Sequence, residues 1–156
     1  MTWRLCFLPH TFTLVPLCSH LCAALRLHAS SKRRILGTMS IPIVIPDHPL
    51  EAQDLEQFRG NPFDTMIKFV ADLRLHRVAL GGEMHADAEN ALLATESRQE
   101  DLWGGNLYPW EAQPRIEYTS LINIRPAEGN RSIMLSNADL RVQMAAVIRD
   151  WVLLSW

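Results

Sequence analysis

The stretch MIKFVADLRLHRVAL (66–80) decides the fold. Ile67, Phe69, Ala71 and Leu73 recur at period two, which in a strand puts four apolar side chains on one face. A short polar break at Arg74–Arg77 comes next, and Val78-Ala79-Leu80 resumes the apolar run, so the segment is expected to fold back as an antiparallel hairpin ended by Gly81-Gly82. An antiparallel nucleus with one buried face needs helices or further strands to cover it.

Both flanks supply them. Upstream, Ile41–Ile45 reads as a short strand that Pro42 and Pro46 confine to a sheet edge, and Leu50, Leu55 and Phe58 suit a short helix ended by Gly60 and Pro62. Downstream, Ala86–Leu93 has helix-forming composition, with His85 or Asp87 near its start. Leu102–Tyr108 is aromatic and strand-like, with Gly104-Gly105 marking a bulge or a close approach. Ile116–Ile124 alternates cleanly, placing Ile116, Tyr118, Ile122 and Ile124 opposite Glu117, Thr119, Asn123 and Arg125. Ser136 is expected to cap a final helix whose stripe is Leu140, Met144, Val147, Trp151 and Leu154. The order predicts an α+β domain: a small antiparallel or mixed sheet, helices packed on one face, and a long C-terminal helix.

Residues 1–38 differ in chemistry from residues 39–156. The first segment contains no acid, five of the 15 bases and all three cysteines, Cys6, Cys18 and Cys22. Residues 39–156 hold all 17 acids and ten bases, a formal charge of −7. Pro9, His10 and Pro16 interrupt the apolar run a secretory signal needs, and no stretch is long enough for a membrane span. The acid-free Arg/Ser composition leaves a transit segment open. The leading expectation is an upstream stretch read from a start placed too early, with a single domain spanning 39–156. A domain of that size buries roughly two-thirds of its extended surface, enough for a core without disulfides. Cysteine-free and anionic, it is expected to be soluble and cytoplasmic, without nonspecific nucleic-acid binding, which needs a dense cationic face.

The runs GGEMHADAENALL (81–93), RQEDLWGGNLYP (98–109) and IEYTSLINIRPAEGNRS (116–132) together resemble an uncharacterised prokaryotic domain-of-unknown-function family. Its motifs are GGExHADAE, QExLWGxNxYP and SLINIRP closing on GNRS. The resemblance implies a domain opening near Met39 and carries no activity with it. The chain departs from the family after Ser132, where Ile133 and Met134 replace basic and small residues, which weakens any anion site in that segment.

Three polar constellations stand out. Glu83, His85 and Asp87 alternate, and in an extended segment would project together as a metal-binding or acid/base cluster. Against this, His85 or Asp87 could simply cap the next helix, and no second histidine or cysteine stands at ligand spacing, so no metal is assigned. Asn123 and Arg125, with Asn130, Arg131 and Ser132 close behind, offer guanidinium, amide and hydroxyl donors suited to phosphate or carboxylate. Their structural alternative is pairing with Glu117 or Glu128 and support of a turn. Asn106 sits among Trp103, Tyr108 and Trp110, aromatics expected in the core or at a contact, and beside Gly105 it could reach a ligand.

No Walker A run, GxGxxG loop or GxSxG elbow is present, and no cofactor is expected. The function expected from sequence is non-catalytic binding of an anionic ligand or a macromolecular partner through Asn106, Asn123, Arg125, Asn130, Arg131 and Ser132. The alternative is a hydrolase-like enzyme with His85 as general base or metal ligand beside Glu83 and Asp87. That alternative requires His85 and the Arg125–Arg131 region in one pocket. The edge strand at Ile41–Ile45 and the aromatics Trp110 and Trp156 make a homodimer a further expectation.

Overall fold

The alternation at 66–73 becomes the middle strand of the sheet. The computed structural model describes residues 41–156. The expectation that 1–38 is a misplaced start or a targeting segment lies outside the described residues. In chain order the elements are β1 (Ile43–Val44), β2 (Leu50–Glu51), β3 (Ile67–Asp72), β4 (Arg77–Gly81), α1 (His85–Leu93), β5 (Leu102–Tyr108), β6 (Arg115–Glu117), α2 (Ala138–Trp151) and β7 (Val152–Leu153). Five strands form one sheet in the order β1-β4-β3-β5-β6, antiparallel throughout. A separate parallel pair, β2 with β7, ties the chain after β1 to the end of α2 through Leu50 opposite Val152. The fold is α+β with a mostly antiparallel sheet and a long C-terminal helix.

Period-two alternation gives the two sheet faces separate partners. Phe69 pairs with Leu80 and Gly105, and Ala71 with Val78 and Trp103. These side chains meet Met144, Val147 and Ile148 of α2 in the larger core. Each of those three helix residues is essentially buried, worth roughly 1.5–3 kcal/mol apiece as an upper estimate. On the opposite face, Val70, Ala79 and Leu102 pack against Ala88 and Leu92 of α1. The two helices therefore cover opposite faces rather than one, because both faces of β3 and β4 carry apolar residues.

Local chemistry overrides several sequence expectations. The 50–58 segment becomes β2 and a 3-10 turn at Asp54–Phe58, still burying Leu55 and Phe58. Asn137, not Ser136, caps α2, its Oδ1 accepting from Asp139 and Leu140 N–H at 2.9 and 3.2 Å. Helix α2 ends at Trp151, so Leu154 lies beyond it. The clean alternation at 116–124 yields only the three-residue β6, and then a 3-10 turn at Leu121–Asn123. Ser120 Oγ accepts the Ile122 N–H, and the Asn123 amide takes over the open edge of β5 (Gly104 N–H to Oδ1 at 2.9 Å, Nδ2 to Gly104 O at 2.9 Å). Side-chain-to-backbone bonds thus replace a strand ladder. A Cβ on Gly104 would lie 2.6 Å from Ser120 Oγ, so the missing side chain is what lets this turn settle on the sheet.

Candidate functional site

Lys68, Asn106 and Glu117 stand side by side on one sheet face, Lys68 opposite Asn106 and Asn106 opposite Glu117 in register. They lie on the α1 side, where α1 covers only the Val70–Ala79–Leu102 part of that face. Between the first turn of α1 and the Leu121–Asn123 turn a cavity of about 320 Å³ remains. Lys68, His85 and Asn106 are its polar lining, with Glu83, Thr119 and Ser120; Met84, Leu121, Ile122 and Ile133 supply its apolar walls. Met84, Leu121 and Ile133 are 59%, 76% and 44% exposed, an apolar rim that continues out of the cavity.

His85 is the first residue of α1 and is buried. Its Nε2 lies 2.9 Å from the Gly105 carbonyl, which can only accept, so Nε2 carries the proton and Nδ1 keeps a lone pair. Burial lowers the His85 pKa below its ordinary 6.5. The Gly105 bond opposes the fall, the Lys68 charge adds to it, and the nearby Asn106 amide opposes it weakly. At neutral pH the ring is therefore an uncharged acceptor toward any group reaching Nδ1.

Asn106 is more than nine-tenths buried. Its Nδ2 donates to Glu117 Oε2 at 3.1 Å and to the Thr119 carbonyl at 3.4 Å. Both neighbours are acceptors, which fixes the amide orientation and leaves Oδ1 on the other side. That oxygen has no hydrogen-bond partner among the described residues. An unmet buried acceptor costs about 1–3 kcal/mol. Glu117 also accepts from Tyr108 Oη at 2.9 Å. The Asn106 and Tyr108 bonds, with Arg115 and Lys68, hold its carboxyl below the ordinary 4.5 against the opposing effect of burial. Burial and the same carboxylate push the Tyr108 phenol up. The chain Tyr108–Glu117–Asn106 is thus a fixed brace.

Lys68 forms no ion pair among the described residues; its ammonium lies 4.8 Å from the Phe63 ring centroid. Burial lowers its pKa from 10.5, and Glu117 opposes the fall.

The other residues singled out from sequence divide between the cavity and structural roles. Glu83 lines the cavity beside His85. Asp87 turns back to accept the Met84 N–H at 3.0 Å as a helix cap. No group of three or more His, Cys, Asp or Glu among the described residues is placed to hold a metal ion. Arg125 lies over the Trp103 ring at 4.8 Å and donates to the Ile122 and Gln99 carbonyls and to Glu89. Asn130 Nδ2 donates to the Asn123, Ser132 and Met134 carbonyls, and its Oδ1 accepts the Ser136 N–H. Asn123 is fully buried on Gly104. Ser132 Oγ accepts the Met134 N–H, and Arg131 is exposed. Of the six residues chosen from sequence as ligand-binding, only Asn106 lines the cavity.

Sequence reasoning missed Lys68, a half-buried residue in an apolar strand. The signal was compositional: Lys68 is the one lysine in residues 39–156, amid nine arginines.

Residues 44–151 match a family described as "Protein of unknown function (DUF5674)". No curated protein and no solved structure matches the chain. Among the described residues no helix is long and apolar enough to cross a membrane.

Proposed function

This chain belongs to the DUF5674 family, and we propose that its domain binds a small anionic ligand in the cavity between α1 and the Leu121–Asn123 turn. One observation carries the reading: a buried amide oxygen, Asn106 Oδ1, has no hydrogen-bond partner among the described residues and lines a cavity beside a lysine that forms no close ion pair there. Proteins seldom leave a buried acceptor unmet unless something else meets it. Lys68 supplies the charge for the anion, and its half-buried position beside the apolar walls strengthens the pairing over one in bulk water. The ligand class is the one expected from sequence; the site moves from the arginine loop to Lys68.

A hydrolase-like enzyme using His85 as general base draws on the lone pair at Nδ1, with Nε2 held by the Gly105 carbonyl. It lacks the second half of its apparatus, since neither Arg125 nor Arg131 lines the cavity. Binding is the simpler reading.

Thermal unfolding of the full chain with isocaproate, leucic acid or inorganic phosphate, beside Lys68→Met, tests it. A ligand at one hundred times its Kd stabilises by about 2.7 kcal/mol. The expected result is a rise in Tm with at least one anion that vanishes in Lys68→Met. A rise that survives the substitution, or no rise with any probe, overturns the proposal.

A further inference from the structure

We infer that the anion is an aliphatic carboxylate carrying a hydrogen-bond donor on the carbon next to the carboxylate, as in a 2-amino or 2-hydroxy acid. This rests on the cavity reading above and sharpens it. The polar lining includes one cation and two acceptors, of which Asn106 Oδ1 is buried without a hydrogen-bond partner among the described residues. Lys68 is the cation. Asn106 Oδ1 is an acceptor by the logic of its own hydrogen bonds, because turning the amide would set its oxygen against Glu117 Oε2 and the Thr119 carbonyl. His85 Nδ1 is an acceptor because the ring's single proton is spent on Gly105.

A plain carboxylate answers Lys68 and brings nothing to either acceptor, and a phosphate dianion brings a single O–H and no aliphatic body for the apolar walls. The spacing is that of one small head group. Lys68 and Asn106 are directly opposed across β3 and β5, so their side chains leave the sheet about 5 Å apart. A carboxylate and a substituent on its neighbouring carbon span such a gap. Glu83 at the cavity lining adds a carboxylate that favours an ammonium donor over a hydroxyl. The body of the ligand is set by the walls: Met84, Leu121, Ile122 and Ile133 offer aliphatic surface and no hydrogen-bonding side chain. The volume of about 320 Å³ admits a branched side chain of leucine size.

Isothermal titration of the full chain with L-leucine, leucic acid and isocaproate separates the terms, since the three share a carbon skeleton and a carboxylate. Isocaproate has no donor. Donor-bearing acids are expected to bind at least about tenfold more tightly, because a site built around buried acceptors rejects the analogue that leaves them unpaired. The order of leucine and leucic acid identifies the donor, and either order satisfies the inference. In Asn106→Ser, checked for a folded amide spectrum, the preference is expected to shrink below threefold; should that variant not fold, the wild-type comparison decides alone. Equal binding of isocaproate and the donor-bearing acids overturns the inference and leaves the anionic-ligand reading standing. Inorganic phosphate binding in a Lys68-dependent way while all three acids fail does the same. Failure of the acids and of phosphate together overturns both.

Discussion

Replacing Asn123 by alanine separates a ligand-binding residue from a structural one. The Asn123 side chain accepts the Gly104 N–H and donates to the Gly104 carbonyl, both at 2.9 Å, with a weaker bond to the Ile133 carbonyl at 3.3 Å. The residue is fully buried, and β6 has already ended at Glu117, so no strand is present to take over. Alanine strands two buried backbone groups at about 1–3 kcal/mol each. Some water entry through the shifted turn reduces this, giving an expected loss of about 2–4 kcal/mol. For a domain of this size, about 3–5 °C of Tm per kcal/mol applies, so Tm should fall by roughly 6–20 °C. Urea unfolding monitored by tryptophan fluorescence measures the loss directly. Arg131→Ala, at an exposed residue, is the control and should stay within about 0.5 kcal/mol. A loss below about 1 kcal/mol in Asn123→Ala would refute the reasoning and return Asn123 to the residues free to meet a ligand.

Two further outcomes rest on the same geometry. Gly104→Ala places a Cβ 2.7 Å from Ser120 Cβ and 3.1 Å from Ile122 Cδ1, so it should cost about 1–3 kcal/mol and lift the turn that walls the cavity; chemical denaturation and amide exchange at Leu121–Asn123 report both effects. For His85, the folded pKa lies below 6.5, so as pH falls past 6.5 the unfolded chain binds a proton that the folded one does not. Stability from this group is complete above 6.5 and declines on acidification until the folded-state pKa is reached. Denaturation midpoints across that range should flatten in His85→Gln, and an unchanged slope would show that the ring is not buried as described.

The sheet was legible in the sequence wherever burial imposed a strict period. Residues 67–73 alternate because one side of the strand faces α2, and the register Phe69–Leu80 is a consequence of that, whereas 102–108 was legible by its aromatic, strand-like composition. The strand expected at 116–124 alternates just as well and still leaves the sheet after Glu117. The reason is a three-way fit among Ser120, Asn123 and Gly104 that no pattern within 116–124 can report. The same limit governed the site. Arg125, Asn130 and Asn123 have ligand-binding chemistry, and in the structure they donate to backbone carbonyls and, for Arg125, toward Glu89, 36 residues away. His85 and Asn106 were identifiable as types. Their meeting beside Lys68 depends on the β3–β5 register and on where α1 begins.

Lys68 tests the central claim most directly, because no other lysine occurs in residues 39–156 and its 13Cε resonance, assigned by its loss in Lys68→Met, can be resolved by NMR. A pH titration of that resonance in the full chain, first alone and then with L-leucine and isocaproate, reads the charge and the binding together. The expected pKa of the free protein lies below 10.5, and a bound carboxylate should raise it, since a neighbouring anion favours the charged form. A Lys68 pKa at or above 10.5 that does not respond to either acid would contradict the account.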